Sequence, residues 1–164
     1  LVEQIFDHFV YQKEHLLLAV PKSCSVNTRL QEYQIPIETI HDGSFLSPEV
    51  LSVPLNSFAN EPFIILRSDN DTGKRALTIC QENNFTPHTI FRLDQQMTAY
   101  NIACSGMGIT FIGDLLLASA PATSELIFYK LPGKNCNRNV SFYWKKGRYI
   151  SRAMEEFLKI ALPQ

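Results

Sequence analysis

Two short stretches of this chain carry groups suited to binding chemistry: Arg67-Ser68-Asp69-Asn70-Asp71-Thr72-Gly73 and Asp94-Gln95-Gln96-Met97-Thr98. Each follows an apolar run and precedes a helical pattern. A helix start leaves backbone N–H groups without intrahelical partners and carries a partial positive charge, which favours carboxylates and other small anions. The plainer role for Asp69, Asp71 and Asp94 is helix capping, since every strand-to-helix turn uses such residues. Gln95 and Gln96 add amides that donate and accept, which suits a polar small molecule. Catalysis has no comparable support. G-x-S-x-G, G-x-G-x-x-G, G-x-x-x-x-G-K-[ST] and H-E-x-x-H are all missing. His8, His15, His41 and His88 sit in separate segments without a matched acid or nucleophile, leaving surface or hinge roles. Cys24, Cys80, Cys104 and Cys136 show no zinc-ligand spacing and read as four reduced thiols. No catalytic residue, no metal site and no cofactor is expected.

These turns need strands before them and helices after them. Phe63 to Leu66 (FIIL) and Thr89 to Leu93 (TIFRL) read as strands, followed by helices over about Thr72–Asn83 and Gln95–Ser105. Ala76, Leu77, Ile79 and Cys80 give the first helix an apolar side, and Asn83-Asn84 suits its end. Asp94 is placed to cap the second helix, and Gly106 to end it. Gly108 then opens the strand Ile109–Ile112, and Gly113-Asp114 starts a short helix closed by Pro121. Leu16–Val20 (LLLAV) is apolar on both faces and suits a buried strand, often a parallel one. Val26–Tyr33 suits a short helix. Leu126–Leu131 and Val140–Trp144 are further strands, and a last helix spans about Ser151–Leu162. Strands alternating with helices from Pro62 to Pro121 predict βαβ units and a parallel sheet covered on both faces, an α/β fold.

The 164 residues suit one domain or two small lobes, with 45% hydrophobic and 19% charged residues. A net charge of −1 argues against a domain that grips nucleic acid by itself. The one local basic run, Lys145, Lys146, Arg148 and Arg152, reads as a solvated loop and helix start. No apolar run approaches the ~20 residues of a membrane span. LVEQIFDHF does not read as a signal peptide. Leu1 is not Met and is expected to follow a cut or boundary in a longer protein.

The order of segments resembles the C-terminal effector-binding part of LysR-type bacterial transcription regulators. EHLLLAVP resembles the strand that leaves the first lobe of their effector domain. VPLNSFANEPFIIL resembles a short helical turn and the following strand. ICQENNFTPHTIFRLDQQMTAYNIACSGMGITFIGDLL resembles the most recognisable stretch of that domain, and FYKLPGKNCNRNVSFYWKKGRYISRAMEEFLKIAL its returning strands and final helix. Together these segments cover nearly the whole chain.

The resemblance implies the fold of type 2 periplasmic binding proteins: two Rossmann-like lobes joined by crossing strands, with a small molecule between them. Residues 16–127 would be a complete second lobe, with 1–15 and 128–164 as parts of the first. The opening of the first lobe and a winged helix-turn-helix would lie upstream. On that reading Ser68, Asp69, Asp94, Gln95, Gln96 and Met97 line the second-lobe side of the cleft. The function implied is a small-molecule-sensing regulatory domain, cytoplasmic, not an enzyme, in a homodimer or homotetramer. It would reach DNA only through the upstream helix-turn-helix and would not engage a membrane. The readings from other classes are a solute-binding lobe of a transport system and an enzyme on a similar scaffold, such as a deaminase of linear tetrapyrrole synthesis. Two features depart from the family's pattern. Asn84 stands where glycine is frequent, and Ser68-Asp69-Asn70-Asp71 is more acidic than usual, which argues against a simple carboxylate effector.

Overall fold

The computed structural model describes residues 5–161, so the expected end of the last helix at Leu162 lies outside the described residues. The chain divides into two units: His15–Cys136, and a smaller one made of Leu1–Glu14 with Asn137–Gln164. The lobe boundaries implied by resemblance fell at 15/16 and 127/128. The contacts divide at 14/15 and 136/137, because the strand Leu126–Lys130 pairs inside the larger unit.

The larger unit is built on a mixed sheet. Its strands are β1 (Phe6–Pro21, which begins in the smaller unit), β2 (Gln34–Ile35), β3 (Pro62–Leu66), β4 (His88–Leu93), β5 (Ile109–Gly113) and β6 (Leu126–Lys130), in the order β2-β6-β1-β5-β3-β4. β3 runs parallel to β4 and β5, as the alternation of strands and helices predicts. β1 departs from expectation. It is antiparallel to both neighbours, β5 and β6, so the sheet is mixed rather than parallel. The apolar run in LLLAV reports burial on both faces, and burial carries no information on strand direction.

Alternation along β1 divides the interior in two. Leu16, Leu18 and Val20 join Phe63, Ile65, Ala76, Ile79 and Cys80 on one side of the sheet. Leu17 and Ala19 join Ile64, Leu66, Ala99, Tyr100 and Ala103 on the other. Strand geometry sends successive side chains to opposite faces, so one strand serves two cores. The covering helices are α1 (Ile37–His41), α2 (Asp71–Glu82), α3 (Gln96–Cys104) and α4 (Asp114–Leu117). Val26–Tyr33 forms two 3-10 turns, Ser25–Arg29 and Gln31–Tyr33, in place of one helix. Buried Asn27 holds this region: its amide donates to the Pro21 carbonyl at 2.9 Å and its oxygen accepts from the Tyr129 hydroxyl at 2.8 Å.

The smaller unit pairs β1 with β7 (Asn137–Lys145) and carries α5 (Arg152–Ala161). Glu14 is buried and meets Arg138 at 2.6 Å. Phe142 packs against Tyr11 and Phe157, with ring centroids 5.4 and 5.3 Å apart. No described residue of α5 is buried, and Phe157 is 53% exposed.

Candidate functional site

The site is set by the edge of the larger sheet where β3, β4 and β5 end. In an open α/β sheet, ligands bind beyond these carboxyl ends, where helices begin. α2 starts from Asn70, whose side chain accepts from the Thr72 N–H at 2.9 Å. None of the aspartates proposed as caps fills that place. Gly73, in the first turn, lies against the end of β3: a Cβ there would come within 2.3 Å of the Leu66 and Arg67 carbonyl oxygens. Only glycine lets the helix start approach the strand so closely.

Asp94 was expected to cap α3, and it does not. Gln95 is the N-cap residue, and its side chain makes no cap hydrogen bond. The Asp94 carboxylate turns instead toward the Arg67 guanidinium at 3.5 Å, and Arg67 also meets Asp69 at 3.6 Å. The Asn70 side-chain amide donates to the Asp94 carbonyl at 3.4 Å. The two strand-to-helix turns are thus tied through Arg67 and Asn70. All three ionic partners are well exposed, so these pairs position the turns more than they stabilise the fold.

The six expected site residues fall into separate roles. Ser68 and Asp69 lie together in an open hollow of about 610 Å³, with Arg67, Leu77 and Arg92. Asp94, Gln95, Gln96 and Met97 do not line that hollow. Asp94 and Gln95 are exposed. Met97 is partly buried and packs against the core beneath α3. Gln96 is a strut: its amide N–H donates to Thr72 Oγ1 at 2.8 Å, and its Oε1 accepts from the Gly113 N–H at 3.2 Å.

Sequence reasoning missed a pairing at the residue after Gly113. Leu16 pairs with Gly113, so His15 and Asp114 meet at the same edge. The His15 backbone N–H donates to Asp114 Oδ1 at 2.9 Å, and His15 Nδ1 lies 2.7 Å from Oδ2. Asp114 Oδ1 also accepts from the Leu115 N–H at 2.8 Å. The imidazole rests edge-on against Phe45, centroids 5.9 Å apart. The partners lie 99 residues apart in sequence, and no spacing rule links them. Only the antiparallel register of β1 and β5 would have brought them together.

All four cysteines are free. Burial pushes the Cys80 and Cys136 thiols up to about 12. Cys24 is raised by burial and by the nearby Glu61 charge. Among the described residues no cluster of three or more His, Cys, Asp or Glu is placed to hold a metal ion. Among them, too, no helix is long and apolar enough to cross a membrane.

This architecture is an open mixed α/β sheet of the type 2 periplasmic-binding-protein kind, as the solved structures it is similar to bear out. The regulatory domain of CcmR from Synechocystis PCC6803, in complex with 2-PG, matches with a TM-score of 0.73 at 15% identity, over 98% of this chain and 67% of that one. The effector binding domain of QuiR in complex with shikimate matches at 0.65 and 17% identity, over 98% of this chain and 65% of that one. At such identities the likeness establishes the fold.

The family is shown by the sequence itself. The LysR substrate binding domain model matches residues 45–164, and the chain belongs to that family. The match is to a family of regulators, so the reading as a lobe of a transport protein falls. Two relatives from Bacillus subtilis (strain 168), both uncharacterized HTH-type transcriptional regulators, are 26% identical to this chain. YcgK matches over 110 residues, 66% of this chain and 33% of that protein. YybE matches over 106 residues, 65% of this chain and 35% of that protein. The chain thus spans about a third of the length of these curated relatives.

Proposed function

We propose that this chain is the effector-sensing part of a cytoplasmic LysR-type regulator that binds DNA through an upstream winged helix-turn-helix. The observation that carries this reading is the family match across residues 45–164. The larger unit is the second lobe of the effector domain. The smaller unit belongs to the first lobe, whose opening elements lie upstream. A small polar molecule binds against the carboxyl edge of the sheet, where Ser68, Asp69, Asp94 and Gln95 offer polar atoms at the surface. Gln96 holds the edge from behind, and Met97 supports α3 from the core. The domain reports binding by a change of conformation and performs no chemistry on its ligand, with no cofactor. The full-length protein is a homodimer or homotetramer, joined two-fold through α2 and β4 against the first lobe of a partner copy.

Full-length protein and this 164-residue chain, each mixed with fragmented genomic DNA at physiological salt, test the reading. The full-length protein should retain a small set of promoter fragments and release or shift them when a particular small metabolite is added. The isolated chain, with a net charge of −1, should retain none. Specific retention by the isolated chain, or none by the full-length protein, would overturn it.

A further inference from the structure

The Asp114–His15 pair closes a continuous polar chain along the carboxyl edge of the larger sheet. It starts at Thr72 in the first turn of α2, passes through the Gln96 amide to the Gly113 N–H, and ends at Asp114 and His15. Every link is a hydrogen bond of 3.2 Å or less or a direct sequence neighbour. His15 is therefore built into the same edge as the strand-to-helix turns, although it comes from the antiparallel β1.

The carboxylate of Asp114 has little left to offer a ligand. One oxygen accepts from two backbone N–H groups, those of His15 and Leu115, and the other faces His15 Nδ1. A carboxylate only accepts, so Nδ1 carries the hydrogen of this bond. Nε2 is then the ring nitrogen left to a further partner, and a hydroxyl, which both donates and accepts, can meet it. Phe45 supports one flank of the ring, and the side chain is 14% exposed. Among the described residues Nε2 has no hydrogen-bond partner, and it is not one of the atoms sealed from solvent. A histidine with an oriented, packed ring and one unpartnered nitrogen is arranged to hydrogen-bond a bound molecule.

We infer that His15 is a binding residue of the effector site, hydrogen-bonding at Nε2 to a hydroxyl of a small hydroxyl-bearing ligand, with Asp114 as its positioning residue. The assignment rests on the effector-domain reading and adds a chemical class to it. That nitrogen selects a hydroxyl over the corresponding deoxy compound, because the deoxy ligand leaves the partly enclosed Nε2 without a partner. Sites that hydrogen-bond a hydroxyl reject its absence far more strongly than apolar pockets reject its presence.

The test uses full-length protein and paired probes that differ by one hydroxyl on neutral, zwitterionic and anionic carriers. The pairs are glycerol against propane-1,2-diol, serine against alanine, and 3-hydroxybenzoate against benzoate, each titrated calorimetrically. At least one hydroxylated member should bind about tenfold or more tighter than its partner, the scale of one buried hydrogen bond left unmade. His15→Phe keeps the ring against Phe45 and should bring that ratio to near one. Asp114→Asn, which removes the carboxylate that orients the ring, should lower the ratio as well, whereas His15→Gln, whose amide both donates and accepts, should recover part of it. A general weakening of the fold would lower both affinities and leave the ratio intact. Equal binding within every pair, no binding of any probe, or a ratio untouched by His15→Phe would overturn the assignment. Promoter release by another metabolite in that case would leave the regulator reading standing, and loss of specific promoter binding altogether would remove that reading instead.

Discussion

Gly73 and Asn84 frame α2 and make opposite demands on the backbone. At Gly73 the obstacle is space, since two carbonyl oxygens occupy the volume a Cβ would need. Gly73→Ala should lower stability by about 2–3 kcal/mol, the upper range for forcing atoms into a packed site, read as a lower urea midpoint at unchanged slope. At Asn84 the issue is conformation, because φ is 62°, in the left-handed region. Glycine adopts this conformation freely and asparagine tolerates it, so either residue meets the requirement. Asn84→Gly should be close to neutral, and Asn84→Ala should cost about 1 kcal/mol. The buried thiols set a third expectation. Cys80 and Cys136 ionise at about 12 in the folded chain against an ordinary 9.0, so only the unfolded state gains thiolates between those values. Their contribution is fully present below pH 9.0 and is lost as pH rises toward 12. Thermal melts should therefore fall steeply over that window, and replacing both cysteines by alanine should flatten the alkaline limb.

At the scale of elements, β4 is the exposed margin of the larger unit. It pairs only with β3 among the described strands and presents Ile90 and Phe91 at 37% and 38% exposure. An edge strand with unpaired backbone groups and apolar side chains is a template for another chain. The helix beside it is anchored firmly. Arg75 Nε donates to the Asn135 carbonyl at 3.0 Å, and the Asn135 amide donates to Glu82 Oε1 at 2.5 Å. α2 is thereby fastened to the segment that leads into β7. The α2–β4 face should be the place where two copies meet, so Phe91→Lys should shift sedimentation of the full-length protein toward smaller species. Unchanged association would move the interface elsewhere.

Across the whole molecule, stability should be uneven. The larger unit has a core on each side of its sheet, whereas α5 of the smaller unit buries no described residue and leaves Ile160 83% exposed. Local opening costs least where few apolar contacts hold an element. Amide exchange in this chain should be fastest in β7 and α5 and slowest in β3, β5 and the Leu16–Val20 part of β1. Supplying the upstream residues of the full-length protein should slow exchange in α5 selectively. Equal protection of α5 and β3 in the isolated chain would contradict this expectation.

What the sequence determined by itself was local. The strands FIIL and TIFRL, the helices after them, the left-handed turn at Asn84 and the helix stop at Gly106 all have short-range causes, and each stands in the structure. Family membership was legible for a related reason: it resides in the order of such elements along the chain. Strand direction was not legible. LLLAV buries both faces equally whether its neighbours run parallel or antiparallel, and only the closed set of hydrogen-bonded partners decided that it opposes β5 and β6. The site obeyed the same rule. Asp94 has the right type and position for a cap, yet an arginine from the neighbouring turn draws it away. Gln96 became a strut because Thr72 and Gly113 arrive on either side of it. His15 gained a partner because an antiparallel register carried Asp114 to its side from 99 residues away. Hydrogen bonds between distant segments depend on where the sheet places strand ends, and that placement belongs to the tertiary structure alone.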